Sequence, residues 1–331
     1  MEATETDDGF TVSAPIERVR ELAPHSRKVP SRPPDASRDP ARERVERVGV
    51  GRCFGTFGEL LQGVLPQHER EFLVTLPIHR YSTATFEASS EACGVQVHPS
   101  YKEKSRRLAE KLMRVFGLNC GGFLSIQSEL SPGKGCASSS ADMVATARAV
   151  QSVFGVSITR SSLARIMSGI EPSDGVMYPG IVSFYHREGV LGKFLGHLPS
   201  LTIVGIDEGG QVDTVEFNER PKPFSRARRT EYANLLLELE RAVARRDARA
   251  VGEISTRSAI SNQEILPKPH LDLLLDMRRR YDALGVVVAH SGTQLGILLD
   301  TNSESLPAIV VELERYGHDV HIYRTQNFQT T

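Results

Sequence analysis

The stretch ELSPGKGCASSSAD, from Glu129 to Asp142, decides the fold because it joins a strand to a helix through a glycine-rich turn. The residues around its start, FLSIQSEL at 123–130, alternate apolar and polar side chains as a half-buried strand does. Pro132 lacks the backbone donor that a strand ladder needs, and the glycines beside it permit the positive φ angles of a tight turn. The sequence therefore predicts a strand, a turn and then a helix over residues 138–154.

The start of this helix is typical of an anion-binding site. The first N–H groups of a helix have no internal partner, and the helix dipole adds positive potential there. Such donors suit the phosphates of ATP. The residues that we assign to them are Pro132, Gly133, Lys134, Gly135, Cys136, Ala137, Ser138, Ser139 and Ser140. An ordinary glycine-rich turn with a serine N-cap is the alternative, and the Walker pattern is not matched because Lys134 precedes the last glycine.

Composition excludes several classes of protein. The chain has 331 residues, of which 40% are hydrophobic, so it can bury a substantial core. Lysine and arginine number 40 against 41 acidic residues, so we expect no nucleic-acid partner. No apolar run approaches the roughly 20 residues of a membrane span, and the N-terminus does not resemble a signal peptide. We therefore expect a cytoplasmic protein without a membrane partner.

Cysteine spacing indicates free thiols. The four cysteines are Cys53, Cys93, Cys120 and Cys136, and they show neither the C-x-x-C spacing of a zinc site nor neighbouring paired histidines. Cys136 lies in the turn, where it is interpreted as small apolar packing, with a catalytic thiol as the less favoured alternative.

The chain divides by composition near residue 47. Residues 1–47 combine prolines and mixed charge with few apolar anchors, which predicts a disordered leader or linker. Beyond it, strands and helices interleave. Strands are predicted at 73–76, 79–86, 123–130, 181–185, 201–206, 286–289, 296–300 and 320–324. Helices are predicted at 105–116, 138–154, 163–170, 226–245, 248–262, 271–284 and 306–316.

The sequence GCASSSA at 135–141 resembles the second motif of the GHMP kinases, whose usual core is GLGSSAA. Cys136 stands in place of the leucine and Ala137 in place of the middle glycine. Four further segments resemble the L-threonine kinase branch of that superfamily, over a range from about residue 49 to 300. These are GTFGELLQG at 55–63, read as a turn, IEPSD at 170–174, SAI at 258–260 with LPKP at 266–269, and VAHSGTQLG at 288–296.

The resemblance implies an α+β fold of the GHMP kinase type. Residues 48–195 would form an N-terminal subdomain like ribosomal protein S5, and residues 196–331 a ferredoxin-like C-terminal subdomain. The active site would lie between them and use ATP with Mg²⁺. Phosphoryl transfer depends on positioning and charge neutralisation more than on a strong nucleophile, so direct transfer is expected.

Roles for individual side chains follow from the resemblance. Ser139 and Glu171 are assigned to Mg²⁺, and Asp174 is assigned to accept or orient the proton of the substrate hydroxyl. The alternative for Asp174 is a plain Asp-Gly turn. Glu59, read in a Gly-Glu turn, is assigned to the active cleft as a catalytic residue that would also bind an ammonium group. Further substrate-binding residues are expected in a second small-residue loop, namely Ser291, Gly292 and Thr293.

Two neighbours of these residues have open roles. Lys134 would either neutralise phosphate oxygens or stay solvated, and His290 is interpreted as a packed residue at a strand end rather than a catalyst.

The predicted activity is ATP-dependent O-phosphorylation of L-threonine to O-phospho-L-threonine. The alternative within this enzyme class is a kinase for homoserine, serine or another small amino alcohol. One sequence does not reveal which protein group contacts the side chain of the substrate. The alternative outside the enzymes is a GHMP-like protein that binds a nucleotide without catalysing a reaction. A small-molecule substrate is the expected partner, and a homodimer is left open.

Overall fold

The computed structural model describes residues 47–210 and 224–328. The predicted leader at 1–47 lies outside the described residues except for Arg47, where the first strand begins. The interleaved strands and helices are present, and the α+β class is confirmed. Within the described ranges, no helix is both long enough and apolar enough to cross a membrane.

The strands are, in chain order, β1 Arg47–Val64, β2 Glu71–Ser89, β3 Val95–His98, β4 Gly121–Ser128, β5 Ile181–Tyr185, β6 Val190–Gly196, β7 Leu201–Asp207, β8 Gly285–Val288, β9 Gln294–Asp300 and β10 Val320–Arg324. The helices of the described part are α1 Glu103–Val115, α2 Ser138–Phe154, α3 Arg160–Ser168, α4 Arg226–Ala244, α5 Ala248–Asn262, α6 Leu271–Arg280 and α7 Leu306–Arg315. The predicted bounds of α2, α5, β5 and β10 match the structure at both ends.

The described strands form one ten-stranded sheet with the order β10-β7-β9-β8-β1-β2-β4-β3, while β5 pairs with β2 and β6 with β5. Strand β3 runs parallel to β4, and the other pairs are antiparallel. Strands from the two halves of the chain meet where β1 pairs with β8, opposite Glu59 and Val288. The predicted subdomain boundary at 195/196 falls at the end of β6, and it stays a prediction.

The sequence GELLQG was wrongly predicted to be a turn. It lies inside β1, whose pairing with β2 shifts register between Phe54 and Leu61. Gly58 has a φ of 50° there, and a Cβ at that position would overlap the backbone of Val288. The segment has turn-like glycines because the strand contains a bulge there, and one residue of the bulge must adopt left-handed backbone geometry.

Strand β2 also differs from the prediction, since the segments 73–76 and 79–86 belong to one strand that passes through Pro77. Pro77 lies opposite Thr56 in the region where β1 shifts register, so the regular ladder is interrupted there anyway. A proline is tolerated in a strand where the partner is bulged, because no ladder donor is lost. Strands β1, β3 and β6 were not predicted from the sequence.

Helix α2 lies against the sheet at the centre of the core. Its buried residues include Met143, Val144 and Ala147, all fully buried. It approaches β1 closely because glycines face it there. A Cβ on Gly51 would overlap the carbonyl oxygen of Ala145 and lie 2.5 Å from the nitrogen of Ala149.

We predict that Gly51→Ala lowers the free energy of unfolding by about 2–3 kcal/mol, because the added methyl group meets backbone atoms that cannot rotate away. Urea unfolding followed by circular dichroism measures this change. Gly169→Ala is the matched control, since φ is −75° there and the nearest atom to a new Cβ lies 3.5 Å away. Equal unfolding midpoints for the two variants would contradict the close packing of β1 on α2.

Candidate active site

The glycine-rich turn connects β4 to α2 and is held by backbone hydrogen bonds from two other segments. Gly133 and Gly135 have φ angles of 72° and 90°. From β1, the N–H of Thr56 donates to the carbonyl of Cys136 at 3.1 Å, and the N–H of Gly58 donates to the carbonyl of Gly135 at 2.9 Å. From the segment after β8, the N–H of Thr293 donates to the carbonyl of Lys134 at 3.2 Å. Three consecutive carbonyls of this phosphate loop, which comprises residues 129–140, are therefore engaged inside the protein.

Helix α2 begins without a side-chain cap. Ala137, at the N-cap position, has a φ of 54°, a left-handed geometry that glycine adopts with less strain. No side chain accepts a hydrogen bond from the first N–H groups of this helix among the described residues. Instead, the Ser138 hydroxyl donates to the carbonyl of Leu130 at 3.0 Å. The uncapped helix start disfavours an ordinary serine N-cap and keeps donors available for an anion.

A pocket of about 220 Å³ opens in front of this helix start. Of the residues assigned from the sequence, those that line it are Glu59, Pro132, Gly133, Gly135, Cys136, Ala137, Ser138, Ser139, Ser140, Glu171, Asp174 and Ser291. The fold therefore brings together residues that are up to 232 positions apart in the chain, the distance from Glu59 to Ser291.

Three of the assigned residues do not line this pocket: Lys134, Gly292 and Thr293. The Lys134 ammonium lies 2.7 Å from the carboxylate of Asp207, which also accepts a hydrogen bond from the Thr293 hydroxyl at 2.6 Å. Gly292 packs against the backbone of Lys134 so closely that a Cβ would overlap it. These residues support the phosphate loop from behind, while Ser291 reaches the pocket.

Ser139 and Glu171 meet in the pocket, where the Ser139 hydroxyl donates to Oε1 of Glu171. The other carboxylate oxygen, Oε2, pairs with the ammonium of Lys104. Mg²⁺ in kinases is typically held by one or two protein oxygen ligands, with phosphates and water completing the shell. A carboxylate and a hydroxyl beside an anion site fit that requirement. Within the described residues, no cluster of three or more acidic, histidine or cysteine side chains could hold a metal ion.

Asp174 contacts the phosphate loop through Ser140. The Ser140 hydroxyl donates to Oδ2 of Asp174 at 3.2 Å and accepts a hydrogen bond from the Asp174 backbone N–H at 2.9 Å. Burial raises the pKa of the Asp174 carboxyl to about 7, the negative charge of Glu59 adds to this, and the hydrogen bond from Ser140 opposes it. A carboxyl with a pKa close to neutrality can take up a proton from a substrate and release it again.

Glu59 is fixed by His290. Its Oε2 accepts hydrogen bonds from the backbone N–H of His290 at 2.9 Å and from ring atom Nδ1 at 3.0 Å. The β1 bulge brings Glu59 opposite Val288, two residues before His290. His290 is thus buried at a strand end, as predicted, but it contacts an assigned site residue.

Sequence reasoning missed several charged and polar residues of the site. The Lys102 ammonium lies 2.5 Å from Oδ2 of Asp142, whose other oxygen accepts a hydrogen bond from Ser82 at 2.5 Å. Lys102 is the N-cap of α1 and Lys104 lies in its first turn, within the sequence YKEKS, which looks like an ordinary solvated charge run. Only the packing of α1 beside α2 brings these lysines to the pocket, so no local signal could have identified them.

Cys136 is a buried packing residue in this structure. Its Sγ donates to Oε1 of Gln294 at 3.0 Å, and burial raises the pKa of the thiol to about 12. A thiol with that pKa carries almost no reactive thiolate at neutral pH, which disfavours a catalytic role.

Comparison with known proteins agrees with this geometry. Residues 103–180 match the family model described as GHMP kinases N terminal domain. The chain is 28% identical over 275 residues to an L-threonine kinase of Citrobacter freundii, a match that covers 83% of this chain and 94% of the relative. This chain contains a GHMP kinase N-terminal domain. An L-threonine kinase of Salmonella typhimurium is also 28% identical, over 77% of this chain and 84% of its own.

Solved structures show the same fold for this chain. Mevalonate kinase of L. major, in complex with R-mevalonate, superposes with a TM-score of 0.63 at 18% identity, covering 86% of this chain and 97% of its own. Homoserine kinase of Cytophaga hutchinsonii superposes with a TM-score of 0.66 at 13% identity, covering 86% and 96%. The GHMP fold and an ATP-dependent small-molecule kinase activity, both predicted from the sequence, are confirmed.

We predict that Asp174→Asn stabilises the kinase at pH 8. The folded pKa of about 7 lies above the unfolded value of 3.8, so wild type loses stability as the pH rises between these values, whereas the amide does not. The full difference between the folded and unfolded pKa values corresponds to about 4 kcal/mol of free energy of unfolding. Because the carboxyl contacts the pocket, we expect the variant to gain only about 1–2 kcal/mol. Urea unfolding at pH 4–8 should show the gain shrinking towards pH 4.

The control for this prediction is Asp207→Asn, which should have the opposite sign. Burial raises the pKa of Asp207, but hydrogen bonds from Lys134 and Thr293 outweigh it and hold the pKa below the usual range. Its stabilising contribution is present at neutral pH and is lost as the pH falls through the folded pKa. A loss of stability at pH 8 in both variants would contradict the raised pKa of Asp174.

Proposed function

We propose that this kinase transfers the γ-phosphoryl group of ATP directly to the hydroxyl of L-threonine, yielding O-phospho-L-threonine. The observation that carries the proposal is the Asp174 carboxyl, which hydrogen-bonds Ser140 of the phosphate loop and has a pKa of about 7. A group that can accept a proton thus lies directly beside the anion site. The similarity to two proteins named L-threonine kinase supports threonine as the acceptor.

The charges that line the pocket favour an acceptor with an ammonium group. Lys102 and Lys104 are each paired, with Asp142 and Glu171 respectively. Among the described residues, neither Glu59 nor Asp174 forms a salt bridge with a lysine or arginine, and the charge of Glu59 raises the pKa of Asp174. An ammonium between them would offset this repulsion. Galactose and mevalonate carry no such cation.

Two buried polar atoms of the pocket wall suit the other end of an amino acid. Ser173 and His186 both line the pocket, and they are 2% and 3% exposed. Within the described part of the chain, neither Oγ of Ser173 nor Nδ1 of His186 has a hydrogen-bond partner. Buried polar groups without a partner cost about 1–3 kcal/mol each, so a ligand that satisfies them gains affinity. We assign them to the acceptor carboxylate.

We propose that Ser139 and Glu171 hold Mg²⁺. The ion would neutralise charge on the β- and γ-phosphates when it is bound. In that arrangement Lys104, which pairs with Glu171, remains close enough to contribute positive charge to the same region. Lys134 is assigned to holding the loop through Asp207 rather than to the phosphates. The cytoplasmic location stays a prediction, as does the possible homodimer.

We predict that the purified protein releases ADP from MgATP faster with L-threonine than with L-homoserine, L-serine, mevalonate or galactose. The unpaired carboxylates of the pocket favour an acceptor with an ammonium group, and the named relatives also favour a hydroxy amino acid. A coupled ADP assay with each of these acceptors measures the rates. O-phosphothreonine should be detected by mass spectrometry. Faster turnover of mevalonate or galactose would contradict the amino acid assignment, and preference for homoserine or serine would replace threonine within it.

We predict that Asp174→Asn and Ser139→Ala have different kinetic defects. Asp174→Asn should lower kcat by about 10²–10⁴-fold while MgATP affinity is kept, as expected for a positioned proton acceptor. Ser139→Ala should raise the Mg²⁺ concentration that gives half activity, because an oxygen ligand is removed. Steady-state kinetics and calorimetric titration of MgATP distinguish the two.

Ser138→Ala is the control for Ser139→Ala, since the Ser138 hydroxyl donates to the carbonyl of Leu130 instead of to Glu171. An unchanged kcat in Asp174→Asn would return Asp174 to the role of a turn residue. Equal Mg²⁺ dependence in Ser138→Ala and Ser139→Ala would remove Ser139 from the metal site.

A further inference from the structure

A buried chain of polar groups extends from Glu59 away from the pocket. Glu59, His290 and Ser258 are 5%, 2% and 1% exposed, and they come from β1, the segment after β8 and α5. His290 donates to Oε2 of Glu59 through both its backbone N–H and ring atom Nδ1. The other ring nitrogen, Nε2, lies 2.8 Å from the hydroxyl oxygen of Ser258. That oxygen accepts a hydrogen bond from the backbone N–H of Gln62 at 3.4 Å.

The hydrogen bonds in this chain all point in one direction. A carboxylate oxygen can only accept, so Nδ1 of His290 donates to Oε2 of Glu59, and Nε2 of a neutral imidazole is left to accept the proton of Ser258. A neutral imidazole that accepts at one nitrogen carries its proton on the other. The proton therefore lies on Nδ1 and is donated to Glu59. The Glu59 carboxylate and the Ser258 hydroxyl thus favour the same tautomer of His290.

The chain determines which oxygen of Glu59 is available. Every hydrogen bond that the described residues donate to this carboxylate reaches Oε2. Oε1 is consequently left for the pocket, which Glu59 lines together with Asp174. If Nδ1 lost its proton, its lone pair would face Oε2 and the carboxylate would lose one of two hydrogen bonds that orient it.

We propose that Ser258 and His290 are positioning residues, which fix the Glu59 carboxylate so that Oε1 binds the ammonium group of the acceptor. The inference rests on the proposed function, because it takes the acceptor to be a hydroxy amino acid. Among the described residues that line the pocket, neither Ser258 nor His290 is present, so both act through Glu59. Their loss should weaken acceptor binding and leave nucleotide binding unchanged.

The same helix provides a matched control. Ser255 is 1% exposed, like Ser258, and its hydroxyl donates to the carbonyl of Val286 at 3.0 Å. Ser255→Ala therefore removes a buried hydroxyl and one hydrogen bond between α5 and β8, but it leaves the chain to Glu59 intact. A purely structural role for Ser258 would make the two alanine variants equivalent.

The first experiment reads the tautomer without any substrate. Histidine is labelled with ¹⁵N in the full chain, and two-bond proton–nitrogen correlations show which ring nitrogen carries the proton. The His290 signals are identified by their absence in His290→Asn. We expect protonation at Nδ1 in wild type and Ser255→Ala, and loss of this single tautomer in Ser258→Ala. Protonation at Nε2 in wild type, or an unchanged pattern in Ser258→Ala, would overturn the proposal.

The second experiment measures kinetics. Ser258→Ala should raise the KM for L-threonine about five- to tenfold, the loss expected from one buried hydrogen bond, with kcat and the KM for ATP within about twofold. His290→Asn keeps an amide nitrogen at the position of Nδ1 but loses contact with Ser258, so it should have a similar effect. The double variant should be no worse than His290→Asn alone, because the two residues act in series.

Additive losses in the double variant, or equal KM values for Ser258→Ala and Ser255→Ala, would overturn the positioning role while the proposed function stood. Failure of wild type to phosphorylate any hydroxy amino acid would overturn the proposed function. The tautomer experiment would still decide whether Ser258 orders the imidazole, since it requires no acceptor.

Discussion

The docking of the phosphate loop on the bulge of β1 is the interaction on which the site depends. Thr56 and Gly58 donate backbone hydrogen bonds to consecutive carbonyls of the loop, at Cys136 and Gly135. A regular strand would have used those N–H groups in its own ladder. The bulge releases them for the loop, and it also brings Glu59 beside β8. One irregularity in a strand therefore fixes both the phosphate loop and the position of Glu59 in the pocket.

The pocket concentrates negative charge in the region where a kinase must bind ATP. Glu171 and Asp174 contact Ser139 and Ser140 in the first turn of α2, and Lys104 pairs with Glu171. Asp174 shows the cost of this arrangement, because burial and the charge of Glu59 raise its pKa to about 7. Strained or unfavourable groups that persist in a fold are commonly found at functional sites. Ala137, in left-handed geometry at the helix start, is a second example.

Buried polar chains such as the one from Gln62 to Glu59 stabilise a structure only when each member is satisfied. Here each donor has one acceptor, and the last acceptor is a carboxylate of the pocket. The packing of α5 against the sheet is thereby linked to the orientation of a binding group. Similarly, the pair of Lys134 and Asp207 links the phosphate loop to the end of β7. The site is thus held by contacts from both halves of the chain.

The sequence by itself determined the local elements and the glycine-rich turn between β4 and α2. The period of α2, the alternation in β4 and the glycines at 133 and 135 are local signals, because backbone geometry and burial depend on near neighbours. The resemblance in five segments indicated the family and most pocket residues, although GELLQG was read as a turn. The glycines of this segment are compatible with a turn and with a bulge, and only the pairing with β2 distinguishes these two structures.

Tertiary structure decided how charges are paired. Nothing in the sequence distinguishes Lys104, which reaches Glu171, from Lys134, which turns away to Asp207, because both are lysines in polar surroundings. The same holds for His290 and Ser258, whose contact joins positions 32 residues apart. Electrostatic and hydrogen-bond partners are chosen by distances of a few ångströms between separate elements, and those distances exist only once the elements have packed.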